Sequence, residues 1–290
     1  MFEGVLTALI TPFRDGAVDE PALRRLVARQ IDAGIDGLVP CGSTGESATL
    51  SHEEHERVIE IVVDAAAGQV PVVAGTGSNS TEEAIRLTCH AKEAGADGAL
   101  LISPYYNKPT QAGLVAHYEA VAQAAELPLI VYNIPGRTAS NILPATLAQL
   151  AHVEYVVGVK EACGDIDQIA HVIAQCPQGF QVLSGDDSMT LPLLAVGGHG
   201  VITTTGNVAP EQMLALVRAF ESGDAAGALR IHQSLLPLFD ALFCETNPIP
   251  LKAALGVMGL IDPEIRLPLT PITQPNRDAL QLVLKELGFA

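Results

Sequence analysis

Basic residues are scarce in this 290-residue chain. Sixteen Lys and Arg stand against 33 Asp and Glu, for a formal net charge of −17. Nucleic-acid binding rests on basic side chains neutralising phosphates, and a chain of this charge would repel them. An anionic membrane surface is excluded on the same ground. No stretch approaches the roughly 18 uninterrupted apolar residues of a membrane span. The five cysteines, Cys41, Cys89, Cys163, Cys176 and Cys244, include no Cys-x-x-Cys pair. That argues against a zinc site, and no metal is expected; small reduced thiols are. Neither a basic segment nor a small-residue cleavage site accompanies Val5–Ile10, so the N-terminus predicts no secretory leader and a cytoplasmic location. What the chain does have is apolar content, 48% of residues, enough for a sizeable core and against disorder. Its length suits one large domain or two ordinary ones.

Short apolar runs alternate with helical stretches. Strands are expected at Val5–Ile10, Gly37–Pro40, Val70–Thr76, Ala99–Ile102, Leu127–Asn133, Tyr155–Lys160, Phe180–Ser184 and Gly200–Thr203. Each is brief and apolar on both faces, as in a buried parallel sheet. Ser51 with Glu54 and Ser80 with Glu83 form Ser-x-x-Glu capping boxes, and Pro144 and Pro210 stand where a first helical turn begins. Ala33-Gly34-Ile35-Asp36-Gly37-Leu38 is echoed by Ala94-Gly95-Ala96-Asp97-Gly98-Ala99, and more weakly by Gly197-Gly198-His199-Gly200-Val201. The first two copies lie about 60 residues apart, two βα units of about 30 each. Eight strands, each followed by a helix, predict an α/β fold, a (β/α)8 TIM barrel over residues 1–224. A doubly wound open sheet is the competitor, but it normally has fewer strands, and the Gly-x-Gly-x-x-Gly fingerprint is missing after the first one. Residues 225–290 show no strand pattern. Helices at Ala225–Phe243, Asn247–Met258 and Arg277–Leu287 are expected as a C-terminal extension packed on the barrel.

Barrel enzymes carry their catalytic groups at the C-terminal ends of the strands. Of the five lysines, only Lys160 ends a predicted buried strand. Desolvation there would lower its pKa and free a nucleophilic amine for Schiff-base chemistry. The same position also suits a lysine whose amine snorkels to water, and position alone leaves both open. The other lysines fall in helices or a polar loop, where solvation is the expectation. Tyr132 and Arg137 end the neighbouring strand. The first is a proton shuttle or a core aromatic, the second a carboxylate clamp or a surface ion pair. Gly42-Ser43-Thr44-Gly45 lacks a P-loop lysine but has amides and hydroxyls suited to a carboxylate. His52 and His55 share a helix face without the His-Glu-x-x-His spacing of a zinc protease. Asp186-Asp187 is expected to cap a helix starting near Ser188.

At these residues the chain resembles the pyruvate-dependent class I aldolase and N-acetylneuraminate lyase group, and within it the 4-hydroxy-tetrahydrodipicolinate synthase (dihydrodipicolinate synthase) branch. The resemblance rests on Gly42–Glu46, Ser103-Pro104-Tyr105-Tyr106-Asn107-Lys108-Pro109, Tyr132-Asn133-Ile134-Pro135-Gly136-Arg137-Thr138 and Gly158-Val159-Lys160-Glu161. It continues through Leu183–Asp187, Gly197–Ile202 and Asn247–Lys252, seven motifs in order along nearly the whole chain. It implies a lyase of lysine and diaminopimelate biosynthesis that joins pyruvate to L-aspartate 4-semialdehyde with no cofactor. Lys160 would form the imine and Tyr132 would move protons. Ser43 and Tyr106 would complete the relay, Tyr106 from a neighbouring subunit. Thr44 and the Ile202 carbonyl would hold pyruvate, and Arg137 the semialdehyde carboxylate. Ser47, Ala48, His52, His55, Asn79, Glu83 and Tyr105 match a site that binds the feedback inhibitor L-lysine in some members. The family is typically a homotetramer. Two positions depart from the pattern: Ser43 stands where threonine is usual, and Cys163 where many relatives have threonine. Arg137 favours the synthase branch, since the lyase branch lacks that arginine. The alternatives are a lyase acting on N-acetylneuraminate or a keto-deoxy sugar acid, and a barrel without catalysis that senses a ligand. The Lys160–Tyr132 pair argues against the sensor.

Overall fold

A computed structural model describes residues 2–290. The apolar runs form eight parallel strands: β1 (Gly4–Ala8), β2 (Gly37–Val39), β3 (Val73–Gly75), β4 (Gly98–Ile102), β5 (Leu129–Asn133), β6 (Val156–Glu161), β7 (Gln181–Ser184) and β8 (Gly200–Thr203). Their order is β2-β1-β8-β7-β6-β5-β4-β3. A parallel bridge between Leu38 and Val72 joins the two ends and closes the barrel. All eight expected strands are present. The observed ones are mostly shorter, because the flanking residues turn away before the ladder begins or after it ends.

Side chains alternate across the closed sheet, as the strand period of two requires. Leu6, Val39, Val73, Leu100, Ile130, Leu183 and Ile202 point into the lumen with Phe2 among them. Val5, Leu38, Ala99, Val131, Val159 and Val201 point outward and pack under the helices. Each buried aliphatic side chain contributes about 1.5–3 kcal/mol. Two such layers can therefore carry polar groups at one end of the lumen.

The barrel helices are α1 (Glu20–Ala33), α2 (His52–Ala66), α3 (Thr81–Glu93), α4 (Gln111–Ala125), α5 (Pro144–Leu150), α6 (Ile166–Gln175), α7 (Thr190–Ala195) and α8 (Pro210–Glu221). Pro144 and Pro210 open α5 and α8, where a missing N–H costs nothing. The Ser51–Glu54 capping box is complete. At α3 only half of the expected box forms. Ser80 Oγ accepts from the Glu83 amide, but the Glu83 carboxylate accepts from Ser78 and meets His52 instead of returning to Ser80.

Three further helices follow: α9 (Ala225–Leu242), α10 (Ile249–Val257) and α11 (Gln274–Glu286). α10 starts later than expected, because Thr246-Asn247-Pro248 makes a turn. α11 starts earlier, because Pro275 suits a first helical turn. Phe239, Leu242, Leu251, Leu255, Leu280 and Leu284 belong to the same outer core as the barrel helices. Lys252 contradicts the expected solvation: it is 1% exposed and ion-paired with Glu46, itself at the end of the loop after β2. Among the described residues no helix is long and apolar enough to cross a membrane.

Candidate active site

Four strand ends converge at the top of the lumen. Parallel register sets Tyr132 on β5 beside Lys160 on β6, so two inward-facing side chains of different strands meet in one layer. The Lys160 Nζ stands 4.4 Å from the centre of the Tyr132 ring, and both residues are 6% exposed. Gly185 follows β7, and a Cβ there would lie 2.7 Å from the Ala162 Cβ and 3.1 Å from the Lys160 Cε. Only glycine leaves the lysine stem its room there.

Burial dominates the chemistry of the pair. It lowers the Lys160 ammonium to about 8, opposed by the carboxylates of Asp186 and Asp187 and reinforced by Arg137. Burial and Asp186 push the Tyr132 phenol upward, while Arg137 and the Ser43 hydroxyl favour its ionised form. The tyrosine is thus a neutral proton donor beside an amine held close to neutrality. Burial also raises the carboxyls of Asp186 and Asp187. Neither caps a helix, contrary to expectation: the 3-10 turn at Asp187–Met189 has no side-chain cap. Asp187 Oδ2 accepts instead from the Thr205 amide at 2.7 Å and its hydroxyl at 2.6 Å, tying β7 to the end of β8.

The loop after β2 brings Ser43 and Thr44 over the lumen. Cys41 and Glu46 flank it in left-handed backbone, with φ of 55° and 53°. Such strain in residues other than glycine persists only where the surroundings enforce it. Here Glu46 is the anchor. Its carboxylate takes the buried Lys252 ammonium and the Arg266 amide at 3.2 Å. Lys252 Nζ also donates to the Glu264 carbonyl at 2.9 Å, and Lys252 and Arg266 both stand over the Phe13 ring, at 4.0 and 4.1 Å from its centre. Asn247 adds a second tie from the C-terminal segment. Its Nδ2 donates to Thr44 Oγ1 at 2.9 Å, and its carbonyl accepts from Arg137 at 3.2 Å.

A cavity of about 40 Å³ collects Ser43, Thr44, Tyr132, Arg137, Lys160 and Asp186. With Thr204 it brings together one buried amine, three hydroxyls, a phenol, a guanidinium and a carboxylate, a set able to take a small keto acid. Ile202 is fully buried in the lumen, in one apolar cluster with Leu6 and Tyr132. Tyr106 is elsewhere: it is 90% exposed, with φ of 71°. Asn247 and Asp186 were not singled out from the sequence as site residues. A polar residue just before a helix, and an acid one past a strand end, signal caps as readily as sites.

A second cavity, of about 540 Å³, opens from the same mouth and shares Ser43, Tyr132, Arg137 and Asn247. Ser47, Ala48, His52, His55, Glu83 and Tyr105 line it further out. Asn79 does not; its side chain donates to the Tyr105 carbonyl at 3.2 Å. His52 meets Glu83 at 2.8 Å, whereas His55 Nε2 bonds the Gly75 carbonyl at 2.9 Å and burial lowers its ring to about 4. The two imidazoles are thus engaged in different directions. The Cys163 thiol bonds the backbone of Asp165, and burial, with the Glu161 carboxylate beside it, raises it to about 12.

The chain matches the model of the dihydrodipicolinate synthetase family over residues 1–287. It is 57% identical to the 4-hydroxy-tetrahydrodipicolinate synthase of Syntrophus aciditrophicus, over 100% of this chain and 99% of that protein. Among solved structures, the chloride-inhibited dihydrodipicolinate synthase of Acinetobacter baumannii in complex with pyruvate is 44% identical. Its TM-score is 0.98, over 100% of both chains. The enzyme of Cyanidioschyzon merolae with lysine bound is 41% identical, with a TM-score of 0.97 over 100% of this chain and 99% of that one. Full-length agreement of this kind, on a barrel whose lumen ends in Lys160 and Tyr132, places the chain in the dihydrodipicolinate synthetase family.

Proposed function

We propose that this chain condenses pyruvate with L-aspartate 4-semialdehyde through a Schiff base on Lys160. The observation that carries the reading is the small cavity in which a buried amine, lowered to about 8, shares walls with Tyr132, Ser43, Thr44 and Arg137. The free Lys160 amine attacks C2 of pyruvate, and the carbinolamine loses water to give the imine. The imine nitrogen draws electrons from C3, which loses a proton and becomes an enamine carbon. That carbon forms a bond to the aldehyde carbon of the second substrate, whose oxygen takes up a proton. The substrate's own amine then adds to C2 and displaces Lys160, closing the ring and returning the lysine. Lysine itself supplies the electron sink, so the chemistry needs no metal or organic cofactor.

Each residue has a role that its surroundings suit. Tyr132 carries protons in and out, with Ser43 as the next hydroxyl. Thr44 and the Ile202 carbonyl hold pyruvate, and Arg137 holds the semialdehyde carboxylate in a two-pronged contact. Tyr106 completes the relay of a neighbouring subunit, a role favoured by its exposure and left-handed backbone. We propose accordingly that the protein works as a cytoplasmic homotetramer. In each subunit 1–224 is the catalytic barrel and 225–290 the helical region that braces it. The larger cavity is a regulatory site for L-lysine, whose ammonium Glu83 would take. Borohydride reduction in the presence of pyruvate, followed by peptide mass mapping, tests the central claim. The adduct is expected on Lys160, and an adduct elsewhere, or none, refutes the mechanism.

A further inference from the structure

We propose that Glu161 and Asn133, back to back with Lys160 and Tyr132, are positioning residues that set the loop carrying Arg137. The inference rests on the function proposed above. The two pairs are consecutive in one register, Tyr132 opposite Lys160 and Asn133 opposite Glu161. Strand alternation sends the first pair into the lumen and the second to the outer face, where Asn133 is 0% and Glu161 1% exposed.

There they begin a continuous polar chain. Asn133 Nδ2 donates to Glu161 Oε1 at 2.9 Å and Oε2 at 3.2 Å, and to Asn141 Oδ1 at 2.9 Å. Asn133 Oδ1 accepts from the Ile142 amide at 2.9 Å. Asn141 exchanges hydrogen bonds of 2.8 and 3.1 Å with Gln168 on α6, and its carbonyl accepts from Gln111 on α4 at 2.8 Å. The segment 134–142 leaves β5 at Asn133, turns through the short helix Pro135–Thr138 with Arg137 on it, and returns to Asn133. One asparagine thus closes both ends of the Arg137 loop, and Glu161 fixes that asparagine.

The pattern has a direction. The Asn133 amide and the Cys163 backbone N–H both donate to Glu161, the latter at 3.0 Å. Burial pushes the Glu161 carboxyl up to about 7, with these donors opposing the shift. These donors favour its ionised form, in which both oxygens accept. An amide in its place would turn an N–H₂ toward another N–H₂. A buried unsatisfied donor is expensive, and the cheapest relief is for the Asn133 amide to turn and release the loop.

The Glu161→Gln variant is the test, with the KM of each substrate, kcat and borohydride trapping of pyruvate measured together. The expected result is a rise of about tenfold or more in the KM for L-aspartate 4-semialdehyde. The pyruvate KM and the trapped adduct on Lys160 should stay within about twofold of the unmodified enzyme. Adding Asn133→Asp reverses donor and acceptor in the side-chain contacts among positions 161, 133, 141 and 168, since the Asn141 and Gln168 amides can turn over, while the Ile142 and Cys163 backbone amides each keep an oxygen to donate to. It should bring that KM back to within about threefold. An unchanged semialdehyde KM, an equal rise in both KM values, or no recovery in the double variant overturns the proposal. Should Glu161→Gln not fold, Asn141→Ala cuts the link outside the strands and is read by the same KM split. If the unmodified enzyme itself traps no pyruvate, the failure belongs to the proposed function and not to this inference.

Discussion

The buried Glu46–Lys252 pair gives the sharpest test of how the C-terminal helices support the site. Both side chains are 1% exposed. Glu46→Gln removes one charge and leaves the Lys252 ammonium without its carboxylate partner, beside the Glu264 carbonyl and the Phe13 ring. Breaking one partner of a buried pair costs about 3–5 kcal/mol, because the remaining charge stays desolvated. The Arg266 amide also loses half of its charged acceptor. Lys252→Met strands the Glu46 carboxylate in the same way, so its cost should be similar. The double variant removes both charges. Its loss should fall short of the sum of the singles by about 2 kcal/mol or more, the signature of direct coupling. Urea denaturation gives the three values. A second readout follows from the backbone. Glu46 holds a left-handed φ of 53° at the end of the loop that presents Ser43 and Thr44. With its anchor gone that strain can relax, and the KM for pyruvate should rise in both single variants. Additive losses, or singles below about 1 kcal/mol, would refute the view that this pair anchors the loop.

Three other outcomes follow from the same geometry. The Lys160 ammonium is lowered to about 8, so the free amine is a minor species at pH 7 and grows as pH rises. The rate of pyruvate imine formation should climb through about pH 7–9 and level off above it, as stopped-flow trapping would report; a rate flat across that window contradicts the buried-amine reading. Tyr132→Phe keeps the ring over Lys160 but removes the proton carrier, and kcat should fall by about 10²–10⁴ while borohydride still traps some pyruvate. A full kcat would remove Tyr132 from the relay. L-Lysine at millimolar concentration should lower initial rates, and Glu83→Ala should abolish that effect; unchanged rates in the unmodified enzyme rule the regulatory site out.

The barrel was legible because its signals are local. A buried parallel strand is apolar on both faces, and eight such runs with intervening capping boxes leave few alternatives. Lys160 was legible for the same reason, a charged residue closing the run Tyr155–Val159. What escaped was decided by distant chain. Lys252 sits on a helix and reads as a solvated residue until Glu46, some 200 positions earlier, is brought against it. Asp187 reads as a cap because the next residues begin a turn, yet its oxygen goes to Thr205. Asn133 and Glu161 lie inside recognised motifs. Only the strand register sets them on the opposite face from the residues that drew attention. Glu83 fits a capping box by spacing, but Ser78 and His52 compete for its carboxylate and win.

The charge balance shows how the site departs from the rest of the molecule. A chain of net charge −17 repels the pyruvate anion at long range, so the field of the whole protein cannot steer it in. Screening confines that repulsion to about 8–10 Å at physiological ionic strength, and inside that distance local groups decide. The local groups at the mouth are Arg137, the hydroxyls of Ser43 and Thr44, and the fraction of Lys160 that is protonated. Asp186 and Asp187 belong to this balance as well. Their carboxylates favour the ammonium, against the burial that favours the amine. Burial favours the uncharged amine that attacks, and the carboxylates favour the ammonium that attracts an anion. Set against each other, they keep Lys160 close to the point at which it can attract an anion in one state and attack its carbonyl in the other.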